Sequence, residues 1–151
     1  MTIWLDGDSI PRDLRAMVLK RRTIARVLFV TSRTLPDIPR DCLLFVPPGP
    51  DAVDGAIEAE AVMGDIVITR DLPFAERIAM KGIPVLNDRG DEFDQANVAE
   101  RRSLRDRAAE LRLLGLAPEM SKAVSRSARD AKKFADALDR LVTRQLKPGR
   151  S

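Results

Sequence analysis

The chain opens on a short apolar run, Ile3-Trp4-Leu5, which Asp6-Gly7-Asp8 stops and Pro11 follows. The same order returns between Gly64 and Pro73, where Ile66-Val67-Ile68-Thr69 leads into Asp71-Leu72-Pro73. A β-branched run without polar alternation predicts a strand covered on both faces. A proline in the first turn of the next segment loses no helical hydrogen bond. Each block therefore predicts a parallel strand tipped with carboxylates where a helix begins. The intervening pattern predicts strands at 25–31, 42–46 and 83–86, besides 2–5 and 66–69. It also predicts helices at 11–22, 51–61 and 73–81, with Leu14, Val18 and Leu19 inward on the first and Gly82 ending the third. Pro36 and Pro39 make 32–40 a loop, and Pro47-Pro48-Gly49-Pro50 stops the third strand.

Beyond Asn87-Asp88-Arg89-Gly90 the period changes. Val98, Leu104, Ala108, Leu111 and Leu114 recur at helical spacing and predict a helix over 95–115. A connector over 116–124 contains Pro118. A second helix over 126–146 carries Ala131, Phe134, Ala135, Leu138, Leu141 and Val142 as its apolar stripe. The last five residues are expected to fray. Alternating strands and helices imply a three-layer α/β fold around a mostly parallel sheet of about five strands, with two C-terminal helices added. At 151 residues, the chain reads as one domain, an α/β body over 1–93 and a helical extension over 94–146.

Composition narrows the chemistry. There is no histidine, which excludes Ser-His-Asp and Cys-His catalysis and His-ligated zinc. There is no tyrosine and only one tryptophan, so an aromatic platform for stacking bases is not expected. The single cysteine, Cys42, is expected to be a small buried residue within the third strand. With no apolar run of membrane length and no signal-peptide pattern, the expected location is the cytoplasm. Residues 1–96 hold 12 Lys and Arg against 16 Asp and Glu, a net of −4; residues 97–151 hold 14 against 7, a net of +7. An acidic body with a basic tail suits metal-binding carboxylates beside a surface that attracts phosphates.

Neighbouring strands lie about 4.8 Å apart, and Mg²⁺–oxygen distances are about 2.0–2.1 Å. Carboxylates that end adjacent strands can therefore share an ion. Asp6 and Asp71 form the best pair if strands one and four adjoin, and Asp8 points along the same rim. Asp51, Asp54 and Glu58 form an acidic stripe on one helix, with Asp54 nearest its apolar face. Asp65 precedes its strand and belongs at the opposite edge in a turn. Asp88, Asp91 and Glu92 return to the carboxyl edge. Thr31-Ser32-Arg33 and Arg89 are candidates for contacting phosphate.

Several blocks together resemble the YaiI/YqxD family of bacterial proteins. Asp6-Gly7-Asp8-Ser9-Ile10-Pro11 is similar to its Asp-x-Asp-x-x-Pro. Val46 to Asp54 is similar to its Val-x-x-Gly-x-Asp-x-x-Asp, and Gly64 to Pro73 to its Gly-Asp-hydrophobic-Val-Ile-Thr-x-Asp-hydrophobic-Pro. Asn87-x-Arg89-Gly90 and the segment from Phe134 to Leu141 also fit. Asp91 stands where that family often has Glu, and the Gly- and Pro-rich connector before the last helix is poorly kept. The resemblance implies a PIN-like fold and a metal-dependent nuclease. It points to Asp6, Asp54 and Asp71 as catalytic, with Asp8 and Asp51 close by as further metal ligands; Asp91, placed where the family often has Glu, is a candidate to complete the metal shell, and Ser32, Arg33 and Arg89 remain the candidates for phosphate from their places after the strands. Mg²⁺ or Mn²⁺ is then the expected cofactor, and nucleic acid the expected partner, RNA ahead of DNA, with homo-oligomerisation compatible. Two other readings compete. Asp6-Gly7-Asp8 also resembles the haloacid-dehalogenase phosphatases, with Asp6 as nucleophile, Asp8 as general acid and Thr31 or Ser32 on phosphate. However, Gly64-Asp65 precedes its strand rather than following it. The third reading is a non-catalytic nucleic-acid-binding or adaptor protein that keeps an acidic pocket.

Overall fold

The computed structural model describes residues 1–116 and 127–147. Its strands are β1 Thr2–Asp6, β2 Arg26–Thr31, β3 Leu43–Phe45, β4 Ile66–Ile68, β5 Val85–Leu86 and β6 Glu92–Phe93. Its helices are α1 Arg12–Leu19, α2 Ala52–Glu60, α3 Leu72–Met80, α4 Val98–Leu113 and α5 Ala128–Leu146. One sheet has the order β3-β2-β1-β4-β5-β6. The first five strands are parallel, and β6 returns antiparallel to β5, with Val85 opposite Phe93 and Leu86 opposite Glu92. The expected neighbours β1 and β4 do adjoin, Leu5 lying beside Ile68. The chain steps outward from β1 to β3 and then crosses back to lay β4 on the other side of β1. That reversal is a topological switch point, and open α/β sheets bind ligands at the carboxyl ends of strands there.

Successive residues of the strands point to opposite faces, and the two faces build separate cores. Ile3, Leu5, Phe29, Ile66 and Ile68 pack with Leu14 and Val18 of α1 and with Phe134, Leu138 and Leu141 of α5. Trp4, Leu28, Val30 and Val67 pack with Val53 and Ile57 of α2 and with Phe74 and Ile78 of α3. Helices on both faces of one sheet give the three layers that the alternating pattern implies.

Several boundaries differ from the sequence pattern. Pro11 stands at the N-cap position rather than inside α1, and 20–23 tightens into a 3₁₀ turn. Cys42 is buried as expected, but it closes a 3₁₀ turn just before β3 rather than lying within that strand. β6 adds a sixth strand that the pattern does not announce, because two residues, one of them charged, carry no period. In α4 only Val98 is buried; Leu104, Leu111 and Leu114 are exposed. The connector with Pro118 lies outside the described residues. Among the described residues, no helix is long and apolar enough to cross a membrane.

Local chemistry explains how the C-terminal helix is set. The Ser127 side chain accepts from the N–H of Asp130, whose carboxylate accepts from the N–H of Ser127, a reciprocal capping box. Gly90 lies in the β5–β6 turn with φ of 84°. A Cβ there would sit 2.7 Å from the backbone N of Phe134 and from the carbonyl carbon and Cγ of Lys133. The turn is thus pressed against α5, and only glycine fits. Gly90→Ala is expected to cost about 1–3 kcal/mol from the backbone conformation alone, with more from the clash. Urea denaturation reads this as a lowered midpoint. An unchanged midpoint would mean that α5 does not seat against the turn.

At the amino edge of the sheet, Asp65 is buried and accepts from the N–H groups of Thr2 (2.9 Å) and Val62 (3.0 Å) and from the Trp4 indole (3.0 Å). It joins the turn before β4 to β1, the structural role expected of it.

Candidate carboxylate site

The carboxyl ends of β1 and β4, together with the start of α2, enclose a cleft of about 420 Å³. Five aspartates line it: Asp6, Asp8, Asp51, Asp54 and Asp71. Each is delivered by a different local device. Asp6 is the last residue of β1; its side chain accepts from the N–H of Asp8 at 3.1 Å and it is 7% exposed. Asp71 is the N-cap of α3, accepting from the N–H of Phe74 at 3.0 Å. Its own N–H donates to the Thr69 hydroxyl at 3.1 Å. Asp54 stands in the first turn of α2 between Val53 and Ile57, whose burial in the core also draws it inward. Asp51 precedes α2 with φ of 62°, the one non-glycine residue in the left-handed region among those described. Aspartate tolerates that conformation better than most residues. One carboxylate oxygen from each of Asp51, Asp54 and Asp71 lies within 4.8 Å of the others.

Electrostatics mark Asp54 as the strained member. Burial, reinforced by the charges of Asp71, Asp6 and Asp51, pushes its carboxyl up to about 7. Burial also raises Asp6, with the charge of Asp8 acting in the same direction. Asp8 behaves oppositely. Burial alone would raise it, but the Ser32 and Thr31 hydroxyls donate to it at 2.6 and 2.8 Å and hold it below the ordinary aspartate range. The backbone N–H of Ser32 adds a third donor at 3.0 Å. Ser32 therefore fixes a rim carboxylate, and Arg33 follows it, exposed.

The remaining candidates lie elsewhere. Asp91 accepts from Lys133 Nζ at 2.6 Å and from the Asn87 amide at 3.2 Å; these outweigh burial and lower its pKa. Arg89 reaches Asp130 at the start of α5, 3.4 Å away. Both belong to the junction of the β5–β6 turn with α5. Glu58, further along α2, pairs with Arg77 and Lys81 at the end of α3. Two cleft residues escape the sequence pattern. Ser9 presents a buried hydroxyl beside the Asp6 carboxylate, on which it acts against the effect of burial. Arg70 is the sole cation lining the cleft among the described residues, and its Nε lies 3.2 Å from Asp88. Beyond its place beside Asp71, nothing in the local pattern distinguishes Arg70 from an ordinary surface arginine.

The donor set suits a hard divalent cation. It offers oxygen ligands only, with no competing imidazole or thiolate. Two ligands on one ion at about 2.1 Å lie at most about 4.2 Å apart, so carboxylates within 4.8 Å need only small rotations to share it. Five aspartates facing one arginine also leave negative charge that a cation would neutralise.

Comparison with known proteins agrees with the sequence motifs. The profile described as "Uncharacterized BCR, YaiI/YqxD family" matches residues 4–144. A protein of Treponema pallidum (strain Nichols) named "UPF0178 protein" is 39% identical over 156 residues, covering 99% of this chain and 86% of its own. Another of that name from Psychromonas ingrahamii is 38% identical over 153 residues, covering 97% and 99%. One from Myxococcus xanthus is 36% identical over 151 residues, covering 97% of each. No solved structure gives a significant match.

Proposed function

We propose, from the premise that this chain belongs to the YaiI/YqxD family, that it is a PIN-like, Mg²⁺- or Mn²⁺-dependent nuclease hydrolysing phosphodiester bonds of RNA. The observation that carries the reading is the approach of Asp51, Asp54 and Asp71 within an open cleft at the switch point, with Asp54 pushed up to about 7. These three would hold the cation, with Asp6 beside them. When bound, such a cation supplies electrophilic stabilisation of a phosphate and lowers the pKa of a bound water. The protein's own contribution is to hold the carboxylates close before anything binds. Asp54 keeps a proton near neutrality in the free site and releases it to solvent as the site fills. The backbone N–H of Phe74 fixes Asp71, and that of Asp8 fixes Asp6, so the rim is set without ligand. Asp8 is locked by three donors, which makes it a poor proton donor and weakens the phosphatase reading that needs it as general acid.

The test is a Mn²⁺ titration against a 5′-labelled single-stranded RNA, with DNA of the same sequence and a phosphomonoester alongside. Metal-dependent shortening of the RNA supports the nuclease. Phosphate release without shortening favours the phosphatase. Retained binding with neither product favours an adaptor that keeps an acidic pocket.

A further inference from the structure

The cleft is acidic on nearly every side, and a phosphodiester entering it meets repulsion unless a cation faces it. The protein supplies one. Arg70 lies between Thr69 and Asp71 at the end of β4, lines the cleft and has a side chain 57% exposed. Its Nε is 3.2 Å from Oδ2 of Asp88, a carboxylate only 14% exposed that follows β5, the next strand in the sheet. A guanidinium engaged at its Nε side still presents its two terminal nitrogens as a fork. That fork matches two oxygens of one phosphate, a geometry that a lysine cannot reproduce. Arg89, the arginine that the motif offers for this task, is instead turned towards Asp130.

We infer that Arg70 is the phosphate-anchoring residue of this site, placing the scissile phosphodiester of a nucleic acid against the aspartates, and that Asp88 is the positioning residue that aims it. The inference rests on the proposed nuclease reading but is separable from it. Arg70 would contact a non-bridging oxygen as charge builds on the phosphate, so its removal acts on turnover more than on ground-state binding. Asp88 touches no substrate and acts only by holding the guanidinium.

The experiment pairs two measurements on wild type, Arg70→Gln, Arg70→Lys and Asp88→Asn, each first shown to melt like wild type. Binding of a fluorescein-labelled single-stranded RNA is followed by anisotropy in Ca²⁺, and cleavage of the same RNA in Mn²⁺. Arg70→Gln is expected to lower kcat about 100-fold or more and to weaken binding several-fold with little added change in KM. Arg70→Lys should recover part of the kcat loss, and Asp88→Asn should fall between wild type and Arg70→Gln. Wild-type cleavage and binding by Arg70→Gln would overturn the inference. If wild type does not cleave, the nuclease reading fails, and the binding arm alone decides for Arg70. Weaker binding by Arg70→Gln then upholds the anchor, and equal binding, or no binding by wild type, overturns it.

Discussion

Phe134→Ala is expected to lower stability by about 3–5 kcal/mol, the loss found when a fully buried phenylalanine is truncated. The ring is completely buried, in one core with Ile3, Leu5, Ile66 and Leu86 of the sheet and with Leu138 and Leu141 of its own helix. α5 thus completes the layer that α1 begins and also backs the β5–β6 turn through Gly90. Urea denaturation measures the loss as a lowered midpoint at unchanged slope. If the midpoint holds, the helix is peripheral and its apolar stripe belongs against another surface.

The second large effect concerns Asp54. Its carboxyl ionises near 3.8 when unfolded and at about 7 when folded. Between those values the folded protein holds a proton that the unfolded chain releases, so stability falls as pH rises from about 4 to 7 and then levels off. In EDTA, Asp54→Asn removes this penalty and should melt higher than wild type at pH 8 but at about the same temperature at pH 4. The cleft is open to solvent, so screening holds the gain to about 1–2 kcal/mol, roughly 3–8 °C. The variant should also lose RNA cleavage, the pattern of a site whose residues are kept for function at the expense of stability. Asp71→Asn should likewise melt no lower than wild type in EDTA, because its amide oxygen can still cap α3. Asp71→Ala, by contrast, should lose about 1 kcal/mol for the cap. A pH-independent difference between wild type and Asp54→Asn would show that Asp54 is not held protonated in the cluster.

The parts of the fold that were legible in sequence share a physical cause. β1 and β4 were visible because strands covered on both faces are continuously apolar, and their carboxylate endings marked the rim. The apolar stripe of α5 was visible because burial of Phe134, Leu138 and Leu141 imposes a helical period. α4 shows the converse. Leu104, Leu111 and Leu114 keep the period but remain exposed, since spacing reports which residues share a face, not whether anything covers it. β6 was hidden because its identity comes from pairing with β5 rather than from its own two residues.

The site divided along similar lines. Asp6, Asp8, Asp51, Asp54 and Asp71 were marked by their positions in chain order, and the topology gathers all five. The left-handed backbone of Asp51 left no trace beyond the Pro47-Pro48-Gly49-Pro50 before it. Arg89 and Asp91 follow β5, as the rim residues should, yet α5 offers them Asp130 and Lys133, and those contacts draw them away. Partners that distant in sequence cannot be read from local pattern, and Arg70, whose partner Asp88 lies beyond α3 and β5, gives no local signal for the same reason.

Calorimetric titration of Mn²⁺ into wild type and Asp54→Asn at pH 7.5, in two buffers of different ionisation enthalpy, tests the carboxylate site most directly. Wild type is expected to bind Mn²⁺ with release of a fraction of a proton, because Asp54 must ionise to share the ion. Asp54→Asn should bind at least about tenfold more weakly, a difference of about 1.4 kcal/mol, and release no proton. Equal affinity in the two proteins, or no binding by wild type at millimolar Mn²⁺, would contradict the assignment of these aspartates as a metal site.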